Sequence, residues 1–167
     1  ALKLGADGVS VHVNLGDEYE SQMLHDLGDI ASQAADWGMP VLAMIYARGT
    51  KVSSEYDANI VAHCARVGVE LGADVVKVPY TGDPESFSRV VDGCCVPVVI
   101  AGGPKLDSER ALLQMAHDSV QAGGAGLSIG RNIFQAENPR LLVEALDQVV
   151  HHDASVDEAM AMVEAGK

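Results

Sequence analysis

An α/β fold built on parallel strands is what the sequence predicts, and three observations carry that reading. Short apolar runs alternate five times with stretches of helical periodicity, with no linker or low-complexity segment between them. The composition is 48% hydrophobic but only 4% aromatic, so the core has to be built from Val, Ala, Leu and Ile. The first run, Gly8-Val-Ser-Val-His-Val-Asn14, alternates strictly, with Val9, Val11 and Val13 on one face and Ser10, His12 and Asn14 on the other. Two architectures use such units, a doubly wound sheet and an eight-stranded barrel. The polar face suits a barrel interior, and five units in 167 residues extrapolate to about 250 for eight, the usual barrel length. The expected fold is therefore a (β/α)8 TIM barrel, of which residues 1–167 supply about strands 4 to 8. It would be a single domain, N-terminally incomplete, because its first residues read as the last turn of a helix stopped by Gly5.

After the first strand, Met23, Leu27, Ile30, Ala31 and Ala34 recur at helical spacing and predict a helix over about residues 19–37, with Gly38 as its stop. Pro40 to Tyr46 is a continuous apolar strand whose parity puts Leu42, Met44 and Tyr46 on one face. Ser53, Ser54 and Asp57 open a helix with Ile60, Val61, Cys64, Val67, Gly68 and Leu71 on its buried side. The third strand is Val75 to Val78, and Asp83-Pro84 starts a short helix to about Asp92. Pro97 to Gly103 is the fourth strand, Asp107 the candidate cap of a helix to about Ala122, and Ala125 to Gly130 the fifth strand. Asn138-Pro139 has the form of a cap and first turn, and Ser155 with Glu158 caps a last helix from Val156 to about Ala165.

The formal charge is -13, from 24 acidic and 11 basic residues with no basic cluster, which argues against nucleic acid and anionic membrane as partners. No signal peptide and no apolar run of membrane-spanning length is present. Three cysteines without a C-x-x-C pair fit a reducing cytoplasm. An anionic substrate would have to be held locally, by a few Arg, Lys and backbone N–H groups.

The most informative stretch runs from Gly72 to Gly82, where Lys77 interrupts an apolar strand expected to be covered on both faces. Desolvation disfavours the ammonium, frees a neutral amine and makes Lys77 a candidate Schiff-base nucleophile. Its plain alternatives are a lysine reaching to solvent and one paired with Asp74. In a barrel all strand ends open on one face, which gathers His12, Asn14, Tyr46, Arg48, Lys77, Gly102, Gly103, Ser128, Gly130 and Arg131. Gly102, Gly103 and Gly130, with Arg131, have the character of a phosphate site made of backbone N–H groups and one guanidinium. Tyr46 is either a proton shuttle for Lys77 or a core tyrosine satisfied by backbone.

Four segments together carry a resemblance: Tyr46-Ala-Arg-Gly, Val76-Lys-Val-Pro-Tyr-Thr-Gly-Asp83, Val99-Ile-Ala-Gly-Gly-Pro-Lys105 and Ile129-Gly-Arg-Asn-Ile-Phe-Gln135. In this order they resemble the archaeal-type class I fructose-bisphosphate aldolase family, which includes the 2-amino-3,7-dideoxy-D-threo-hept-6-ulosonate synthases. The resemblance implies a (β/α)8 barrel with Lys77 as Schiff-base lysine and Tyr46 as proton donor. It also implies phosphate on Gly102, Gly103, Gly130 and Arg131, Arg48 touching the substrate, no cofactor, and homo-oligomers built as pentamer rings or decamers. Ala47 and Pro79 depart from the family's usual residues, and the family's acidic catalytic group belongs to a strand upstream of residue 1. Two other function classes remain: a metal-dependent lyase and a non-catalytic sugar-phosphate binder. The first needs clustered ligands, yet His12, His25, His63, His117, His151 and His152 show no metal-binding spacing, and His12 alone faces the site.

Overall fold

The computed structural model describes residues 1–50 and 52–165. A short 3-10 turn over Leu2–Leu4, closed by Gly5 in the left-handed region, precedes five βα units. These are β1 (Val9–Leu15), α1 (Glu20–Asp36), β2 (Val41–Ala47), α2 (Ala58–Glu70), β3 (Val75–Pro79), α3 (Pro84–Asp92), β4 (Val98–Ala101), α4 (Glu109–Gln121) and β5 (Gly126–Ser128). They are followed by α5 (Arg131–Phe134), α6 (Pro139–His152) and α7 (Val156–Ala165).

The strands form one parallel sheet in the order β1-β2-β3-β4-β5. A doubly wound sheet reverses strand order at a switch point; here each strand pairs with its sequence neighbour, which is the order of a barrel. Its two edge strands, β1 and β5, each pair on one side.

All the helix packing falls on one face of this sheet. Val13, Val41, Ala43, Ile45, Val76, Val78, Val98 and Ile100 are buried there against Leu27, Val61, Cys64, Phe87 and Val90 from the helices. Gly68 of α2 sits so close to the sheet that a Cβ would lie 2.8 Å from Ile45 Cδ1 and 2.9 Å from Val76 Cγ1. A second cluster joins α4, α6 and α7 through Leu113, Ala116, Leu142, Ala145 and Ala159. Among the described residues no helix covers the opposite sheet face, which corrects the expectation that β3 is fully buried: Lys77 is half-buried. An apolar β3 is still required, because Val76 and Val78 face the helices while Val75 lines the other side.

Helix caps follow the local chemistry. Asp57, Asp83 and Asn138 accept backbone N–H bonds at the starts of α2, α3 and α6. Ser155 and Glu158 exchange capping-box bonds before α7, with Ser155 N–H donating to Glu158 Oε2 at 2.9 Å. The expected cap at Asp107 is corrected to Ser108, whose extended backbone lets Oγ accept from Ala111 N–H at 3.1 Å. The fourth and fifth strands end earlier than expected, at Ala101 and Ser128, and the glycines beyond them lie in turns. His151 and His152 form the end of α6.

Candidate active site at the strand ends

Register places the candidate side chains in two levels on the uncovered face. His12, Met44, Lys77, Val99 and Gly126 lie side by side across the sheet; two residues further along, Asn14 pairs with Tyr46 and, on the other strands, Pro79 with Ala101 and Ala101 with Ser128. Lys77 is thus flanked in its own level by Met44 and Val99, both apolar. Among the described residues it makes no ion pair, and burial alone pushes its amine below the ordinary lysine pKa. The alternative partner, Asp74, is engaged elsewhere: its Oδ2 accepts from Val41 N–H at 2.9 Å and ties the entrances of β2 and β3.

Tyr46 stands on the strand beside Lys77 and two residues further along, a diagonal of about 8 Å between Cα atoms from the strand spacings. It is buried, with 8% of its surface exposed. Desolvation raises its pKa, and the Arg48 guanidinium opposes that effect from 4.4 Å above the ring. Arg48 is held in turn by Glu55, Nε to Oε2 at 2.9 Å. The aromatic ring therefore meets a cation on one side and the His12 ring on another, with ring centroids 5.2 Å apart. His12 Nε2 bonds Asn14 Oδ1 at 2.9 Å, so the two polar residues of β1 orient each other.

A cleft of about 220 Å³ opens at the ends of β2, β3 and β4. It is lined by Tyr46, Arg48, Glu55, Tyr56, Gly102 and Gly103 among others. Lys77 lies one level below it. Gly130, Arg131 and Ser128 are outside its lining, beyond the neighbouring strand.

The glycines have different reasons for being glycine. Gly103 adopts φ +61°, a left-handed backbone. Gly102 has ordinary φ but no room, since a Cβ would meet Ile129 Cγ2 at 2.7 Å. Gly130 has neither constraint: its φ is -126° and the nearest contact to an added Cβ is Phe134 at 3.4 Å.

Three residues join the site without a signal in the sequence. Glu55 and Tyr56 lie in an irregular loop whose fold no periodicity announces, and Tyr56 feels both the Glu55 carboxylate and the Arg131 guanidinium. Asn132 follows Gly130 and Arg131 in the same motif, with nothing in its spacing to mark it; it is one of the few buried polar side chains, with 7% exposure. Among the described residues no three His, Cys, Asp or Glu side chains converge as metal donors.

Comparison with known proteins places this arrangement. The sequence model of the DeoC/LacD family aldolases matches residues 1–136. The chain belongs to the DeoC/LacD aldolase family. It is 45% identical over 161 residues to a 2-amino-3,7-dideoxy-D-threo-hept-6-ulosonate synthase of Halobacterium salinarum, covering 96% of this chain and 60% of that protein. A 2-amino-4,5-dihydroxy-6-oxo-7-(phosphonooxy)heptanoate synthase of Streptomyces griseus is 39% identical, with 96% and 59% covered. The crystal structure of an archaeal fructose 1,6-bisphosphate aldolase superposes with TM-score 0.88 at 37% identity, covering 91% of this chain and 61% of that one. A second archaeal aldolase structure, with its catalytic Lys covalently bound to the carbinolamine intermediate of the substrate, has TM-score 0.86 at 36% identity and 90% and 60% coverage. This DeoC/LacD chain spans about 60% of the length of the curated relatives it matches. Its five βα units are a partial aldolase TIM barrel, in agreement with the strand order.

Proposed function

We propose that the protein is a class I aldolase or transaldolase acting on a ketose phosphate, and that its five units are strands 4 to 8 of a single barrel. The observation that carries the chemistry is Lys77: a half-buried amine between Met44 and Val99, its pKa lowered by desolvation, and diagonal to a phenol. The neutral amine attacks the C2 carbonyl of the ketose, and its proton passes to the carbonyl oxygen to give a carbinolamine. Tyr46, a neutral phenol whose pKa burial holds above its ordinary value, donates a proton to the carbinolamine hydroxyl, which leaves as water and gives an iminium. The phenolate, facing the Arg48 guanidinium, then takes the C4 hydroxyl proton as the C3–C4 bond breaks. The bonding pair moves to C3, the iminium becomes an enamine, and the phenol is restored. Protonation of C3 and hydrolysis of the iminium complete cleavage; for transfer the enamine attacks a second aldehyde, whose oxygen takes a proton from the Tyr46 phenol, and hydrolysis of the iminium so formed releases the product and the Lys77 amine.

The phosphate is held by Gly102, Gly103, Gly130 and Arg131, and Arg48 reaches the substrate from the cleft wall. His12, Asn14 and Ser128 stand on the same sheet face and are further candidates for substrate contact. Identity of 45% to a heptulosonate synthase, against 37% to a solved fructose-bisphosphate aldolase, favours the transfer reaction with an acceptor such as aspartate semialdehyde. The free thiols of Cys64, Cys94 and Cys95 suit a reducing cytoplasm. Among the described residues no helix is long and apolar enough to cross a membrane. Exposed Leu4, Trp37 and Phe134 offer apolar surface for assembly into homo-oligomers, as rings of five or decamers, checked by light scattering.

Borohydride reduction in the presence of fructose 1,6-bisphosphate, followed by peptide mass spectrometry, tests the reading. A reduced adduct on the peptide carrying Lys77 is expected. Saturable binding of the sugar phosphate with no adduct on that peptide would replace the enzyme with a sugar-phosphate binding protein.

A further inference from the structure

We propose that Asn132 is a positioning residue for phosphate binding, fixing the direction of the Gly102–Gly103 peptide and joining the turn after β4 to the turn after β5. The inference rests on the phosphate site proposed above and adds the device that shapes it. All the hydrogen bonds of this buried amide go to one distant segment. Nδ2 donates to Gly102 O at 2.9 Å and to Pro104 O at 3.1 Å, while Oδ1 accepts from Leu106 N–H at 2.8 Å. The orientation of the amide is dictated by its partners, since a flipped group would set oxygen against two carbonyls and N–H against N–H. Both N–H donors and the carbonyl are thereby committed.

The consequence follows from peptide planarity. In a trans peptide the C=O of one residue and the N–H of the next point in opposite directions. Gly102 O is turned towards Asn132, so Gly103 N–H is turned away from it; Pro104 O is turned towards Asn132, so Lys105 N–H is turned away as well. Because Asn132 is buried beneath the turn, the Gly103 N–H faces outward, on the side where Gly102 and Gly103 line the cleft, whereas Lys105 lies outside that lining. Nothing in the regular structure would enforce this: residues 102–108 lie between β4 and α4, and Gly103 must hold φ +61°. Asn132 neighbours Arg131 and lies two residues from Gly130, so one side chain sets the spacing of both anion-binding turns. Carboxylate in its place would face two carbonyl oxygens, and an apolar residue would leave three backbone groups unpaired.

The test uses Asn132→Asp, close to isosteric, and Asn132→Ser, which keeps a hydroxyl that both donates and accepts. Inorganic phosphate is titrated into ¹⁵N-labelled protein while the Gly103 amide is followed, and borohydride trapping is run with unphosphorylated dihydroxyacetone and with fructose 1,6-bisphosphate. The expected result for Asn132→Asp is a phosphate affinity at least tenfold weaker and half-saturation by the bisphosphate at least tenfold higher, with trapping of dihydroxyacetone unchanged. Asn132→Ser should fall between Asp and wild type. Wild-type affinity and an unaltered Gly103 response in both variants would overturn the proposal alone. An equal loss of trapping with both carbonyls would also overturn it, since that marks a general structural role. If phosphate leaves the Gly103 amide of the wild type unmoved, the phosphate site itself is misplaced and the proposal falls with it.

Discussion

The strand ends of β2 and β3 and those of β4 and β5 lie along the same edge of the sheet but are built on different principles. At β2 and β3 the proposed reacting groups are side chains, Tyr46 and Lys77, fixed by strand register and made chemically unusual by what surrounds them. At β4 and β5 the side chains are mostly absent, and what is presented is backbone, shaped by Gly102, Gly103 and the Asn132 amide. The difference follows from the two tasks. Covalent catalysis needs one amine of altered proton affinity, whereas binding a phosphate needs several N–H groups pointing one way. The first is broken by removing an atom and the second by adding one.

The largest expected effect follows directly. Lys77→Ala should reduce borohydride trapping to background while leaving inorganic phosphate affinity within about twofold, because the two regions are independent to first order. A phosphate affinity that collapsed together with the adduct would make the two regions one. Next is Tyr46→Phe, which keeps the ring beneath Arg48 and deletes the proton. Cleavage should slow by about 10²–10⁴-fold, with imine formation less affected than C3–C4 cleavage. The pH profile has a definite sign. Lys77 is held below its ordinary value of 10.5, so the rate of imine formation should rise with pH and level off below 10.5. Tyr46 is raised above 10.0, so the phenol form, and with it proton donation, persists to that pH and beyond. An acid limb still climbing at pH 10.5 would show that the amine is not desolvated in the working enzyme.

On the other side of the comparison, Gly102→Ala places a Cβ 2.7 Å from Ile129 Cγ2 and 3.4 Å from Asn132 Nδ2. Displacing those neighbours should cost about 1–3 kcal/mol in urea unfolding and weaken phosphate binding, with dihydroxyacetone trapping retained. Gly68→Ala is its control: it clashes with Ile45 and Val76 on the helix side, so a similar loss of stability should come without loss of phosphate affinity. Equal binding defects in the two variants would mean that phosphate affinity merely follows stability.

The same contrast explains what is legible in the sequence. Strand parity by itself puts Tyr46 and Lys77 on one face, because a period of two admits no other arrangement once the strands are parallel and in register. The five units follow from alternating apolar runs, the barrel order from the polar face of the first strand and the length per unit, and the glycine turns from their position after two of those runs. How the lysine face is covered is not legible, since an apolar strand reads the same whether its second face meets helices or a barrel interior. Glu55 and Asn132 leave no local trace, because an ion pair from a loop and an amide reaching back 26–30 residues obey no short period. Arg48 is legible as a strand-end cation, but its grip by Glu55 and its stacking on Tyr46 are not.

The smallest effect concerns Tyr80, which joins the two regions: it follows β3, lines the cleft and packs edge-on against Phe87 of α3 at 5.3 Å. Its hydroxyl is buried and, among the described residues, has no hydrogen-bond partner. A buried hydroxyl without a partner costs about 1–3 kcal/mol relative to hydration, so Tyr80→Phe should be neutral or stabilising by about 1 kcal/mol at neutral pH. Burial, helped by the Asp118 and Asp83 carboxylates, pushes the phenol up to about 12 in the folded protein, against 10.0 in the unfolded chain. The unfolded state therefore releases this proton first. Its stability contribution is complete below pH 10 and is lost as pH rises towards 12, so the wild type should weaken across that window more steeply than Tyr80→Phe. A variant clearly less stable than wild type at neutral pH would mean that the hydroxyl is bonded after all. It would then belong with the polar machinery of the mouth rather than with the core beneath it.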